Sequence, residues 1–166
     1  MNVSWSWQEN YMNLELDNKR VLITGASRGI GLAIAEGFLK EKAQACIVSR
    51  GSKMLYKNEN ELQNKYSADN IFALKCDCTK SEDLNFLKKK LEVKWGKLDI
   101  LVVNVGDGRG VSKPLPDQEG WQRVWTTNFE SALNTSRIFL PMLEKSNGVL
   151  LFISSIAGIE AIGAPT

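Results

Sequence analysis

The sequence contains no histidine among its 166 residues. This absence excludes a Ser-His-Asp triad, a Cys-His pair, a histidine general base and a histidine-ligated zinc site within the chain. The chain also has almost no excess charge. Its 21 Lys and Arg residues outnumber its 19 Asp and Glu residues by two, which gives a net charge of +2. A balance this close to neutral predicts neither nucleic acid nor a membrane surface as a partner.

The sequence also has no long hydrophobic run, and its three cysteines are an odd number. The longest apolar run, residues 149–153, has the length of a strand and is too short to span a bilayer. Cys46 and Cys76 lie in apolar runs, which is typical of a reducing compartment, so we expect a cytoplasmic protein. Cys76 and Cys78 lack further ligands for zinc, and we interpret this pair as a strand end and predict no metal.

The remaining composition is that of an ordinary globular domain, with 43% hydrophobic and 24% charged residues. A chain of this length corresponds to about one domain. We interpret residues 1–13 as an N-terminal extension that is not a secretory signal, since it has no basic start and no apolar centre. Met12 resembles the natural first residue of a protein, which predicts that residues 1–11 are an upstream extension.

Five short apolar runs rich in β-branched residues predict buried strands at residues 21–24, 45–49, 71–76, 100–103 and 149–154. The segments between them have helical spacing. Two apolar stripes are expected to face the core: Ile30, Ile34 and Phe38 in one helix, and Leu84, Leu87, Leu91 and Trp95 in another. Alternation of strands and helices predicts an α/β doubly wound, Rossmann-type, mostly parallel sheet with helices on both faces.

Three local features refine this prediction. Thr79 and Glu82 are spaced as a capping box for the helix ending near Trp95. A Gly- and Pro-rich loop is expected at residues 106–116, followed by a long helix over about residues 119–145 that Pro141 should kink or nearly end.

The first predicted strand runs directly into a glycine-rich loop and the next helix. Gly25 permits a sharp turn, Gly29 permits a pyrophosphate to approach the backbone, and Gly31 permits close packing of the helix. The free N–H groups of the helix N-terminus complete a site for an anion. The order strand, loop, helix makes an ordinary glycine-rich turn the weaker interpretation.

The spacing Thr24-Gly25-Ala26-Ser27-Arg28-Gly29-Ile30-Gly31 resembles the TGxxxGxG loop of the short-chain dehydrogenase/reductase family, in particular its 3-oxoacyl-(acyl-carrier-protein) reductases. The resemblance covers residue 14 to the end of the chain and implies an NAD(P)-binding Rossmann domain over residues 14–166. It implies hydride transfer between nicotinamide and a carbonyl or secondary alcohol. Cofactor contacts are then expected from residues of this loop: Thr24, Gly25, Ser27, Arg28, Gly29, Ile30 and Gly31.

The end of the second strand distinguishes the two cofactors in such proteins. An acidic residue there binds the adenosine ribose, whereas a cation accommodates the 2′-phosphate. This chain has Ser49 and Arg50, and Arg28 is a second cation. We therefore predict NADP over NAD, with the alternative that both arginines are exposed rim residues.

Further positions follow from the resemblance. Asp77 matches the residue that hydrogen-bonds the adenine ring, and Asn104 and Gly106 match the NNAG element beside the cofactor. Val103 and Val105 depart from that element, and packing is an equal explanation for Val105. Asn128 matches the relay asparagine of the long helix and Ser155 the catalytic serine, although asparagines occur on helix surfaces and serines at strand ends for structural reasons.

The tyrosine and lysine of the family's YxxxK motif should follow Ser155 by about a dozen residues, beyond Thr166. Tyr11, Tyr56 and Tyr66 lie in the wrong regions. We therefore expect the chain to be C-terminally incomplete, inactive by itself, and exposed along its last strand.

Two hypotheses of different classes stay open: an NADP-dependent oxidoreductase in the full-length form, and a non-catalytic nucleotide-binding module or inactive fragment. The resemblance also implies a small-molecule substrate and a homo-oligomer, either a dimer or a tetramer, when full length. Asp107 and Arg109 stand in the loop at the expected mouth of the site, where a solvated loop is the simpler interpretation.

Overall fold

The computed structural model describes residues 14–107 and 117–160. The predicted N-terminal extension and Arg109 lie outside these ranges, as does most of the predicted Gly- and Pro-rich loop. The strands are β1 Arg20–Thr24, β2 Gln44–Ser49, β3 Ile71–Lys75, β4 Ile100–Val103 and β5 Val149–Phe152. The α-helices are α1 Gly29–Lys40, α2 Ser52–Lys65, α3 Ser81–Trp95, α4 Gln118–Trp125 and α5 Ser131–Glu144, with a π-helical turn Thr126–Glu130 between the last two.

The described strands form one parallel sheet in the order β3-β2-β1-β4-β5. Strand β1 is central, and its Leu22 is opposite Cys46 of β2 on one side and Leu101 of β4 on the other. The chain moves outward from β1 to β3 and then returns to place β4 on the opposite side of β1. The gap between the carboxyl ends of β1 and β4 is therefore the topological switch point, where ligands bind in open α/β sheets. The doubly wound prediction is confirmed.

Alternating side chains of the strands build a core on each face of the sheet. On one face Leu22 and Leu101 pack with Phe139 of α5 and with the predicted α3 stripe, whose four members are all buried. On the other face Val21 and Ile23 pack against α1 and α2. Each fully buried leucine or phenylalanine contributes about 1.5–3 kcal/mol, so the two cores fix where the strand ends point.

The predicted α1 stripe is wrong at its first position, because Ile30 is 63% exposed. The buried face of α1 instead consists of Gly31, Ala35 and Leu39, with Ile34 and Phe38 half-buried beside it. Small residues let α1 approach the sheet closely. The bulkier apolar side chains of α1 therefore lie at the edge of its contact with the sheet. Close packing therefore overrides the larger apolar residues in deciding which face is buried.

The predicted capping box of α3 is also wrong. Lys80 is the N-cap of α3 and makes no side-chain capping bond. Thr79 Oγ1 instead donates to Asp77 Oδ1 at 2.8 Å, and Asp83 Oδ2 accepts from Asp77 N at 2.9 Å. Asp77 offers Thr79 an acceptor within a local turn, which competes with capping.

The predicted long helix is present but not uniform, since the π-helical turn separates α4 from α5 and α5 runs through Pro141 to Glu144. Strand β5 pairs only with β4 in the described sheet, and Val149, Leu151 and Phe152 are exposed along it, as expected from the sequence. Within residues 14–107 and 117–160, no helix combines the length and apolar character needed to cross a membrane.

Candidate active site

A cleft of about 330 Å³ lies at the carboxyl edge of the sheet, above the switch point. Eight of the twelve predicted cofactor residues line it: Gly25, Ser27, Arg28, Ser49, Arg50, Asp77, Asn104 and Gly106. They come from the ends of β1, β2, β3 and β4, far apart in sequence. The cleft adjoins a shallower depression of about 710 Å³, to which Arg50 and Thr79 also contribute.

The floor of the cleft is a hydrogen-bonded joint between β1 and β4. Thr24 is fully buried, and its Oγ1 accepts from Asn104 N at 2.9 Å and donates to the carbonyl of Val102 at 3.3 Å. Asn104 Nδ2 donates to the carbonyls of Thr24 at 3.0 Å and Gly25 at 3.2 Å. Thr24 therefore lies beneath the cleft and holds the backbone that forms its wall.

The glycine loop has the backbone that the sequence predicts. Gly25 and Gly29 have φ values of +65° and +59°, in the left-handed region that favours glycine. A Cβ on Gly31 would lie 2.5 Å from Asn104 Nδ2 and 2.9 Å from the carbonyl oxygen of Gly25, so this position has no room for a side chain. Gly29 has open space around it, on the exposed side of the loop.

The residues present fit a pyrophosphate at the N-terminus of α1. Arg28 is the N-cap and makes no side-chain capping bond, and the first turn of α1 carries no acidic residue. The N–H groups at this end thus keep their preference for an anion, which the helix dipole reinforces. Ile30, in the same first turn, is exposed beside the loop and does not line the cleft.

The second side of the cleft carries Ser49 and Arg50, the residues that the sequence predicts to distinguish NADP from NAD. Arg50 lines the cleft where β2 ends, and Gly51 is the N-cap of α2, whose first turn also lacks an acidic residue. Ser49 Oγ donates to the carbonyl of Gly51 at 2.9 Å and so shapes this turn rather than offering a free hydroxyl proton. Among the described residues that line the cleft, Asp77 is the one carboxylate.

Asp77 and the neighbouring cysteines form the wall at the end of β3. The carboxylate of Asp77 accepts from Thr79 N at 3.1 Å as well as from its hydroxyl, which fixes its orientation. A hydrogen bond with Cys78 and burial raise the pKa of the Cys76 thiol, and burial raises the pKa of Cys46. The described residues contain no group of three or more potential metal ligands. These thiols are packing residues.

The two predicted catalytic residues are at the same edge of the sheet but outside this cleft. Asn128 lies in the π-helical turn, where its Oδ1 accepts from Asp107 N at 2.7 Å and its Nδ2 donates to the Asp107 carbonyl at 3.3 Å. It thereby holds the chain just beyond Gly106. A π-helical turn within a helix is frequent at functional sites.

Ser155 follows β5 and is exposed. Its Oγ accepts from Ala157 N at 3.2 Å and caps the short turn Ile156–Gly158, which is the structural role that serines often have at strand ends. The hydroxyl of Tyr66 donates to Glu36 at 3.0 Å, and burial is the main reason that the pKa of Tyr66 is raised. Neither Tyr66 nor Tyr56 lines the cleft.

Sequence reasoning missed one buried polar side chain at this site. Asn58 of α2 is 7% exposed, and its Nδ2 donates to the carbonyl of Ser27 in the glycine loop at 2.8 Å. Its spacing from Leu55 and Leu62 is the signal, because an asparagine in an apolar helical stripe needs a specific partner.

Comparison with known proteins agrees with this geometry. Residues 19–164 match the family model for short chain dehydrogenase. A Dictyostelium discoideum protein named Dehydrogenase/reductase SDR family protein 7-like is 34% identical over 146 residues, which are 85% of this chain and 46% of that protein. The 3-oxoacyl-[acyl-carrier-protein] reductase FabG of Chlamydia muridarum is 32% identical over 93% of this chain and 61% of its own length. The chain thus spans about half to three-fifths of these relatives.

Solved structures have the same arrangement. The L-sorbose reductase of Gluconobacter frateurii, complexed with NADPH and L-sorbose, superposes with a TM-score of 0.86 at 28% identity, over 93% of this chain and 59% of that one. The RhlG/NADP active-site complex of Pseudomonas aeruginosa superposes with a TM-score of 0.81 at 30% identity, over 90% of this chain and 59% of that one.

Proposed function

Because the chain belongs to the short-chain dehydrogenase family, we propose that it forms the cofactor-binding part of an NADP-dependent oxidoreductase. The reaction is hydride transfer between the nicotinamide and a small-molecule carbonyl or secondary alcohol. The observation that carries the proposal is the cleft at the switch point, where eight predicted cofactor residues from four strand ends meet. NADP and NADPH complexes among the similar solved structures support the same cofactor.

The preference for NADP over NAD rests on charge at the end of β2. Arg28 and Arg50 both line the cleft, and the N-termini of α1 and α2 add positive dipole ends without an acidic residue in either first turn. A guanidinium suits the oxygens of a 2′-phosphate, whereas the ribose hydroxyls of NAD require an acceptor at this position.

The residues have distinct proposed roles. The glycine loop and the first turn of α1 bind the pyrophosphate, Asp77 binds the adenine, and Asn104 and Gly106 form the wall beside the nicotinamide half. Asn128 and Ser155 are proposed to serve the proton relay and the substrate oxygen. The phenol that exchanges the proton is proposed to lie outside residues 14–107 and 117–160, because Tyr66 is hydrogen-bonded to Glu36 and Tyr56 does not line the cleft.

Self-association and a cytoplasmic location complete the proposal. A row of exposed aromatic side chains at four-residue spacing, Trp121, Trp125 and Phe129, supports a homo-oligomer. The free, buried Cys46, Cys76 and Cys78 support a reducing compartment. Sedimentation analysis of the purified protein tests the oligomer.

The 2′-phosphate contact can be tested with fragments of the cofactor. In calorimetric titrations the chain should bind 2′,5′-ADP at least tenfold more tightly than 5′-AMP, and Arg50→Asp should abolish most of this difference. Glu41→Gln, at the far end of α1, is the control and should leave both affinities unchanged. Equal affinities of the unaltered chain for the two fragments would contradict the assignment of NADP.

A further inference from the structure

Asn58 is a polar side chain in a position where packing alone would favour an apolar residue. It shares the buried face of α2 with Leu55 and Leu62 and is 7% exposed. An amide in such surroundings is destabilising unless it is hydrogen-bonded. Its Nδ2 donates to the carbonyl of Ser27 at 2.8 Å, which joins α2 to the glycine loop across 31 positions of sequence.

This hydrogen bond fixes the orientation of one peptide group of the loop. The carbonyl of Ser27 and the N–H of Arg28 belong to the same peptide, and the described chain contains no cis peptide bond. In a trans peptide these two groups point in opposite directions. Because Asn58 holds the carbonyl toward α2, the N–H of Arg28 is directed away from α2, at the N-cap of α1.

The same bond connects the two sides of the cleft. Ser27 and Arg28 line one side, and Arg50 and Gly51 line the other, immediately before α2 begins at Ser52. A displacement of the loop relative to α2 changes the separation of the two arginines. The Asn58 hydrogen bond therefore joins the side of the cleft that carries Arg28 to the helix that follows Arg50.

We propose that Asn58 is a positioning residue for cofactor selectivity. By anchoring the Ser27 carbonyl to α2, it orients the Ser27–Arg28 peptide and holds Arg28 at the distance from Arg50 at which both face one 2′-phosphate. This inference rests on the proposed function and adds to it a residue that does not itself touch the cofactor.

The test is the ratio of the dissociation constants for NADH and NADPH, measured by calorimetry on the chain. Asn58→Leu removes the donor and retains the apolar packing of α2. We expect its affinity for NADPH to fall about tenfold, the effect of one buried hydrogen bond, with a smaller loss for NADH. The ratio should therefore shrink severalfold. In an Arg28→Ala background, Asn58→Leu should change the ratio no further.

The matched control is Gln63→Leu in the same helix. Gln63 Nε2 also donates to a backbone carbonyl, that of Ile71 at 3.3 Å, but it lies away from the cleft. The Gln63→Leu variant should leave the ratio of the NADH and NADPH dissociation constants unchanged, even if its free energy of unfolding falls. Asn58→Ala removes the donor without adding a charge, so the ratio can be measured on it if Asn58→Leu does not fold.

The outcomes separate the two proposals. A preference for NADPH in the unaltered chain that persists undiminished in Asn58→Leu and Asn58→Ala would overturn the positioning role alone. Equal weakening of both cofactors would also overturn it, since a purely structural role gives that result. Absence of any NADPH preference in the unaltered chain would instead overturn the proposed function.

Discussion

Asn104 donates two hydrogen bonds to Thr24, one from its backbone N–H to Oγ1 at 2.9 Å and one from Nδ2 to the carbonyl at 3.0 Å. These bonds tie the carboxyl ends of β1 and β4 together at the switch point of the sheet. The floor of the cleft is thus a fixed joint, and the glycine loop is built on one side of it.

Loss of the Thr24 hydroxyl should weaken this joint. Thr24→Val retains the shape of the side chain but removes the acceptor of the Asn104 N–H, so unfolding free energy should fall by about 1–3 kcal/mol. Thr24→Ser retains the hydroxyl and should lose clearly less. Urea unfolding measures both, and equal losses for the two variants would show that the hydroxyl is unimportant.

Two glycines of α1 should respond in opposite directions to the same change. Gly31→Ala places a Cβ against Asn104 and the Gly25 carbonyl, and overpacking of this kind costs about 1–3 kcal/mol. Gly37 has no neighbour within 4 Å of a Cβ, so Gly37→Ala should stabilise the helix by about 1 kcal/mol. The midpoint of thermal unfolding should therefore fall for the first variant and rise for the second.

Acid should weaken the contact between α1 and α2. Hydrogen bonds from Lys65 and Tyr66 hold the pKa of Glu36 below its ordinary value of 4.5. A carboxylate whose pKa is lowered in the folded state contributes stability that is present above pH 4.5 and is lost as pH falls through the lowered pKa. Glu36→Gln should therefore reduce stability at pH 7 and show a smaller further loss between pH 5 and pH 3.

Glu61→Gln provides the comparison for Glu36. Its partner is Lys57 at 3.5 Å, and both side chains are more than half exposed. Exposed pairs of this kind contribute little, so this variant should retain the stability of the unaltered chain at pH 7. Indistinguishable results for Glu36→Gln and Glu61→Gln would contradict a special role for the Glu36 cluster.

The hydrogen bond that the Asp107 N–H donates to Asn128 Oδ1 should protect the Asp107 amide from hydrogen exchange. Asn128→Ala removes the acceptor of the Asp107 N–H, so this amide should exchange faster, while Ser136→Ala, in the adjacent α5, should leave it unchanged. Unchanged protection of Asp107 in Asn128→Ala would show that the π-helical turn does not hold this segment.

The sequence predicts the strands within a few residues and the carboxyl edge of the sheet as the site, because β-branched runs and glycine spacing are local signals. The glycine loop predicts the close packing of Gly31, but the sequence does not show that the buried face of α1 continues through Ala35 and Leu39 and leaves Ile30 exposed. The predicted capping box of α3 is wrong for a similar reason, because the Thr79 hydroxyl donates its hydrogen bond to the Asp77 carboxylate instead of capping the helix.

The contact between Asn58 and Ser27 joins segments that lie far apart in sequence, and no local pattern identifies the partner. A buried asparagine in an apolar stripe indicates that a partner exists, and only the folded chain shows that it is the glycine loop. Long-range polar contacts of this kind are the part of the site that the sequence leaves undetermined.

A paired titration of the chain with NADPH and NADH measures whether this cleft binds NADP in preference to NAD. We expect NADPH to bind at least tenfold more tightly, with the difference decreasing as salt is raised because a charged phosphate contact is screened. NADH binding as tightly as NADPH, or no binding of either, would show that the cleft is not an NADP site.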